Sequence, residues 1–164
     1  MNMVKYTILL VEDDPNDVLL MERALRKAKL VNPLHVVEDG EQALAYMEGQ
    51  GAYADRALYP LPVLMLLDLK LPRKSGFEVL AWLRQQSGLK RIPVVVLTSS
   101  KEPTDVNRAY DLGSNSYLVK PGGQGEMLEL VNALNLYWMI LNEKPESTGS
   151  GTAPRTLAGQ GVTL

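Results

Sequence analysis

Cysteine is absent from the 164 residues and histidine occurs once, at His35. The first absence excludes a disulfide scaffold, thiolate-bound zinc and thiol catalysis, and the second excludes a metal centre built from several imidazoles of one chain. Phenylalanine also occurs once. No apolar run approaches the roughly 20 residues of a membrane-spanning helix. Residues 1–7 lead directly into Ile8-Leu9-Leu10-Val11 without the apolar stretch of a secretory signal, so a cytoplasmic location away from membranes is expected. Charge of either sign is not in excess: 17 Lys and Arg face 19 Asp and Glu, a formal charge of −2, which provides no basic field to attract nucleic acid. What is present, 46% hydrophobic and 22% charged residues, suffices for one globular core.

Apolar runs recur at Tyr6–Val11, Leu34–Val37, Val63–Leu67, Ile92–Leu97 and Ser116–Val119. The first, third and fourth lack polar alternation over four or five residues, which is the pattern of strands covered on both faces. Helical patterns lie between and after them, at Pro15–Lys29, Glu41–Glu48, Gly76–Gln86, Pro103–Leu112 and Gln124–Leu141. Asp14 reads as the N-cap of the first, with Pro15 at its first position and Asp17 in its first turn; Gly113 suits the C-terminus of the fourth. Strand and helix alternating five times predict an α/β fold, a doubly wound five-stranded parallel sheet with helices on both faces. The connection Gly49–Pro62 exceeds the usual two to six residues, and reads either as a tolerated insertion or as a partner-binding loop.

Ligands of such a sheet sit beyond the carboxyl ends of the strands. The residues expected there are Glu12, Asp13 and Asp14, then Asp68, then Thr98 and Ser99, then Lys120 before Pro121. Taken singly, each reads as a cap, a loop hydroxyl or a surface cation; taken together they make a phosphoryl-transfer constellation. Two carboxylates about 5 Å apart repel by roughly 3 kcal/mol at an effective dielectric near 20, so Glu12, Asp13 and Asp68 call for a counter-charge. Oxygen donors with room for water match Mg²⁺. Asp68 is then the candidate nucleophile, Lys120 the cation for a phosphoryl oxygen and Thr98 a hydrogen-bond donor.

The segments ILLVEDD, LLDLKLPRKSGFEVL, VVVLTSS and YLVKP, in this order, resemble the response-regulator receiver domain of two-component signalling. The resemblance spans about Tyr6 to Leu141. The ILLVEDDPND start, the DLKLPRKSGFEVL segment and the long loop before the third strand are similar to stand-alone regulators of cyanobacterial and other bacterial phytochrome histidine kinases. It implies a flavodoxin-like fold with strand order 2-1-3-4-5, a receiver domain at 1–143 and a flexible tail at 144–164. It also implies that Asp68 is the phosphoacceptor, that Asp13 binds Mg²⁺ directly and Glu12 through water, and that Lys70 offers its backbone carbonyl to the ion. Thr98 and Tyr117 match the switch pair, and Lys120-Pro121 matches the family's cis peptide.

A regulator of this kind is no enzyme; it assists its own phosphorylation and slow dephosphorylation, takes its phosphoryl group from a sensor histidine kinase, and signals by docking to a further protein. Glu12 stands where Asp is commoner. The Lys70 side chain, close to the acceptor, is expected to slow attack of water on the phosphorylated form. An alternative reading is a phosphorylation-independent scaffold, against which the intact Glu12, Asp13, Asp68, Thr98 and Lys120 argue. A phosphoaspartate phosphatase is disfavoured by Lys70, where such enzymes place a second acid.

In the last helical pattern Met127, Val131, Leu134, Trp138 and Leu141 form one stripe, while Leu136, Tyr137 and Ile140 belong to a second apolar face. A homodimer covering that second face is expected. His35 reads as a plain strand residue, and Arg73, Lys74 and the stretch from Arg84 as solvated faces.

Overall fold

The computed structural model describes residues 6–122 and 124–134. Five strands, β1 (Ile8–Val11), β2 (Leu34–Val37), β3 (Leu64–Leu67), β4 (Val94–Thr98) and β5 (Ser116–Val119), alternate with five helices. These are α1 (Pro15–Lys27), α2 (Gly40–Glu48), α3 (Gly76–Gln85), α4 (Pro103–Asp111) and α5 (Gln124–Leu134). All paired strands are parallel and the order is β2-β1-β3-β4-β5, the flavodoxin-like arrangement expected. The three runs without polar alternation, β1, β3 and β4, occupy the centre, and every one of their residues is buried.

Successive side chains of a strand point to opposite faces, and this divides the core. Leu9, Val11, Met65, Leu67 and Val94 pack with Tyr46 and Met47 of α2 and Val79, Leu80 and Leu83 of α3. Ile8, Leu10, Leu64, Leu66, Val95 and Leu97 pack on the other side with Met21, Ala24 and Leu25 of α1 and Met127 and Val131 of α5. At roughly 1.5–3 kcal/mol for each large apolar side chain removed from water, these two layers dominate the stabilisation.

Caps set where the helices begin. Asp14 Oδ1 accepts from the Asn16 amide at 2.8 Å, as expected, and Asp39 Oδ1 does the same for Gln42 at 2.7 Å. Ser75 and Glu78 form a reciprocal capping box on α3. Helix α1 ends two residues before the expected Lys29: that lysine takes a left-handed conformation (φ 57°), and the chain turns so that Leu30 packs onto the α1–α5 layer. Gly113, with φ 102°, follows the end of α4 in the conformation expected of it.

The long connection 49–62 is folded onto α2. The Arg56 guanidinium donates to the carbonyls of Tyr46 (2.7 Å), Met47 (2.7 Å) and Tyr59 (2.9 Å), covering the open end of the helix, while Tyr46 Oη donates to the Pro60 carbonyl at 2.8 Å. The rings of Tyr46, Tyr53 and Tyr59 meet edge-on or tilted beside His35, which lies in β2 as expected. Gly49 has φ 70°, a backbone conformation that favours glycine, and a Cβ there would push the Arg56 guanidinium from its place over the carbonyls.

Arg84 corrects the reading of its stretch as a solvated face. Its guanidinium donates to the carbonyls of Gly113 (2.9 Å), Lys90 (2.8 Å) and Ile92 (2.8 Å) and to Asn115 Oδ1 (3.0 Å), bracing α3 against the turn that leads into β5. Arg84→Met keeps the stem and removes these bonds. It is expected to lower the unfolding free energy by about 2 kcal/mol in urea titration, since orphaned carbonyls and a lost charge-assisted bond each carry a cost. Arg73, 65% exposed at its side chain, is the solvated residue expected, touching Asp39 and Glu41 at 3.4 Å.

Leu136, Tyr137 and Ile140, named for the dimer face, lie outside the described residues, as does the expected tail at 144–164. No described helix is long and apolar enough to cross a membrane.

Candidate functional site

Parallel strands in register deliver their C-terminal residues to one edge. Glu12 follows β1, Asp68 follows β3, Thr98 ends β4 and Lys120 follows β5. The Glu12 amide donates to the Val37 carbonyl, the Asp68 amide to Val11 and the Lys120 amide to Thr98, so ladder hydrogen bonds extend into the site and fix its backbone. Gly76 at the start of α3 packs against this edge: a Cβ there would overlap the Asp68 carbonyl oxygen.

The two oxygens of Asp68 have separate partners. Oδ1 accepts from Thr98 Oγ1 at 2.8 Å and lies 3.4 Å from the Lys70 amide; Oδ2 accepts from Lys120 Nζ at 2.9 Å. Thr98 is fully buried and Asp68 is 6% exposed. Lys120 also meets Glu12 Oε1 at 2.6 Å and Asp17 Oδ2 at 2.8 Å. All three protons of the ammonium therefore have a carboxylate to point at. Asp17 is the residue the sequence reading missed, because an acid in the first turn of a helix is fully accounted for by that position.

One ammonium among several acids leaves the charge unbalanced. Burial would lower the Lys120 pKa, but the hydrogen bonds it donates to Asp17, Glu12 and Asp68 outweigh it and hold the amine above its ordinary range. The shortfall appears on Glu12. Burial, helped by the neighbouring Asp68 carboxylate, pushes its pKa up to about 7 despite the Lys120 hydrogen bond.

Carboxylate oxygens of Glu12, Asp13 and Asp68 come within 4.8 Å of one another, with Asp13 exposed and the other two buried. This donor set suits a hard divalent cation: it is all oxygen, carries excess negative charge, and is open to solvent on the Asp13 side. The Lys70 side chain is exposed beside it.

Tyr117, half-buried in β5, packs, as Phe77 does, onto the cluster of Leu69, Val96 and Ala109, and its hydroxyl donates to the Ser100 carbonyl at 2.9 Å. Burial raises its pKa. Ser100 Oγ in turn donates to Asp105 Oδ2 in α4 at 2.6 Å, so one short loop joins Thr98, Tyr117 and α4. One expectation fails here. No peptide bond among the described residues is cis, so Lys120-Pro121 is trans. The trans form is the intrinsic preference of an X-Pro bond, and with it the Lys120 amine already reaches all three carboxylates.

Residues 8–132 match the family model described as the response regulator receiver domain. The chain belongs to that family. Among relatives of this receiver, response regulator Rcp1 of Synechocystis sp. is 41% identical over 132 residues, covering 80% of this chain and 88% of that protein. The phosphorylated cyanobacterial phytochrome response regulator RcpA superposes with a TM-score of 0.81 at 36% identity, covering 87% of this receiver and all of that chain. The Mn²⁺-bound form of Rcp1 gives a TM-score of 0.76 at 39% identity, over 85% and 99% of the two chains. The receiver is thus related to phytochrome response regulators.

Proposed function

We propose that this receiver accepts a phosphoryl group on Asp68 from a phosphohistidine of a sensor histidine kinase of the phytochrome class, and signals through phosphorylation-dependent contacts with another protein. The observation that carries the reading is the partnering of Asp68: a buried carboxylate whose one oxygen faces a lysine ammonium and whose other faces a buried threonine hydroxyl. A carboxylate oxygen of Asp68 forms the O–P bond as the P–N bond of the donor breaks. The bonding pair of P–N passes to the imidazole nitrogen, which takes up a proton. Lys120 stabilises negative charge on the transferring oxygens, and Thr98 donates a hydrogen bond to them.

Glu12, Asp13, Asp68 and the Lys70 carbonyl are the groups proposed to hold a divalent cation, Mg²⁺ by the chemistry of the donors. When bound, the ion offsets carboxylate repulsion and draws charge from the phosphoryl oxygens. The acyl phosphate carries about −1.5 to −2 at pH 7, against −1 for the free carboxylate, and places that charge on oxygens that pull on Thr98 and Lys120. Movement of Thr98 acts on the loop that Tyr117 and Asp105 hold, which is the route proposed from the site to α4 and β5. The relatedness to phytochrome regulators supports the kinase class.

The test is incubation with acetyl phosphate and Mg²⁺ followed by mass spectrometry. A base-labile phosphoryl increment on Asp68, absent in Asp68→Asn, is expected; an increment that persists in Asp68→Asn, or none at all in the wild type, refutes the assignment. Lys70 is proposed to shield the acyl phosphate from water. Lys70→Ala is therefore expected to shorten the phosphorylated half-life several-fold, and an unchanged half-life removes that role.

A further inference from the structure

We propose that Asp17 is a positioning residue for phosphoryl transfer: its carboxylate anchors the Lys120 ammonium so that the amine stays aimed at the group carried by Asp68. This rests on the functional reading above and assigns the geometry behind it. Lys120 leaves the edge strand β5 and has to extend past β4 to reach Asp68 beyond β3, on a stem of four carbons with many rotamers. Of the three carboxylates that hold its amine, Glu12 and Asp68 are also members of the converging acidic set. Both are drawn into other work when that set binds a cation or when Asp68 becomes an acyl phosphate. Asp17 lies outside the set. It approaches from the first turn of α1 at 2.8 Å, and its hold does not depend on what Glu12 and Asp68 are doing. With 28% of its side chain exposed, it sits toward solvent relative to Glu12 (4%) and Asp68 (8%). An amine released from Asp17 during transfer has the solvent beside it as the competing place to go. The competing account is that Asp17 merely favours the positive end of α1, and that effect does not involve Lys120.

The experiment uses the whole chain with Mg²⁺ and acetyl phosphate as the probe, following the initial rate of Asp68 phosphorylation by mass spectrometry. Asp17→Asn is expected to slow it roughly 10-fold, within the range that misplacing one group brings, and Asp17→Glu to restore most of the rate. In a Lys120→Met background, Asp17→Asn is expected to change the rate by less than about twofold, because the two residues act as one unit. Mn²⁺ affinity, read by electron paramagnetic resonance, is expected to stay within about twofold of wild type in Asp17→Asn, since the acidic set is untouched. Asp17→Ser carries the same expectations should Asp17→Asn fold poorly. Equal rates in wild type and Asp17→Asn, or the same loss in both Lys120 backgrounds, overturn the inference while leaving Asp68 phosphorylation in place. A wild type that takes up no phosphoryl group overturns the functional reading and the inference with it.

Discussion

Lys120→Met is expected to lose about 3 kcal/mol of unfolding free energy at neutral pH in the presence of a chelator, and to regain much of it in millimolar Mg²⁺. The wild-type amine is the one cation in contact with Glu12, Asp17 and Asp68 among the described residues. Methionine keeps most of the stem's packing and removes the counter-charge, leaving the buried Asp68 carboxylate uncompensated and driving Glu12 further toward its protonated form. A divalent cation supplies the missing charge at the same carboxylates, so its stabilising effect should be larger in the variant than in the wild type. Urea unfolding with and without Mg²⁺ measures both terms. Equal Mg²⁺ stabilisation of the two proteins would show that the ion and the amine do not act on the same acids.

Glu12→Gln is expected to do the opposite without metal. The pKa of Glu12 is raised from 4.5 to about 7 by burial and by Asp68. Between those values the folded protein holds a proton that the unfolded chain has released, so the folded state loses ground as pH rises through the interval. This contribution is fully present below about pH 4.5 and gone above about pH 7. Glutamine mimics the neutral acid and does not titrate. Wild type and variant should therefore be similarly stable near the bottom of the window, with the variant ahead by roughly 3 kcal/mol near the top, from about 1.4 kcal/mol per pKa unit. Stability curves that run parallel across this interval would refute the account. The variant should also bind a divalent cation more weakly, because a charged oxygen donor is gone.

The sequence made the central strands legible because burial on both faces leaves no room for polar alternation, and β1, β3 and β4 show none. It made the site legible for a related reason: four strand ends in a parallel sheet must meet at one edge, so Glu12, Asp68, Thr98 and Lys120 could be placed together before their distances were known. Side chains with two plausible roles were harder to read. Asp17 already had a role in starting a helix, and nothing local marks its contact with a lysine 103 residues away. Arg84 follows the polar rhythm of a helix surface, yet the turn after α4 folds over it and takes its hydrogen bonds. The long loop gave no periodic signal, because its order comes from a guanidinium meeting carbonyls and from tyrosine rings meeting each other. The trans peptide at Pro121 departs from what the family resemblance implied, since the intrinsic preference suffices where the amine already reaches its partners.

The ion pairs of Lys120 also tie the outermost strand to the beginning of the chain. Residues Glu12, Asp17 and Asp68 are synthesised well before the amine that neutralises them, and the strand that carries it is laid down at the sheet's margin. A nascent polypeptide that has emerged only as far as α4 would hold its acids without their partner. The arrival of β5 would then do two things at once: complete the hydrogen-bonded ladder and relieve the mutual repulsion at its rim, making the last strand a clasp that rewards docking electrostatically as well as by burial.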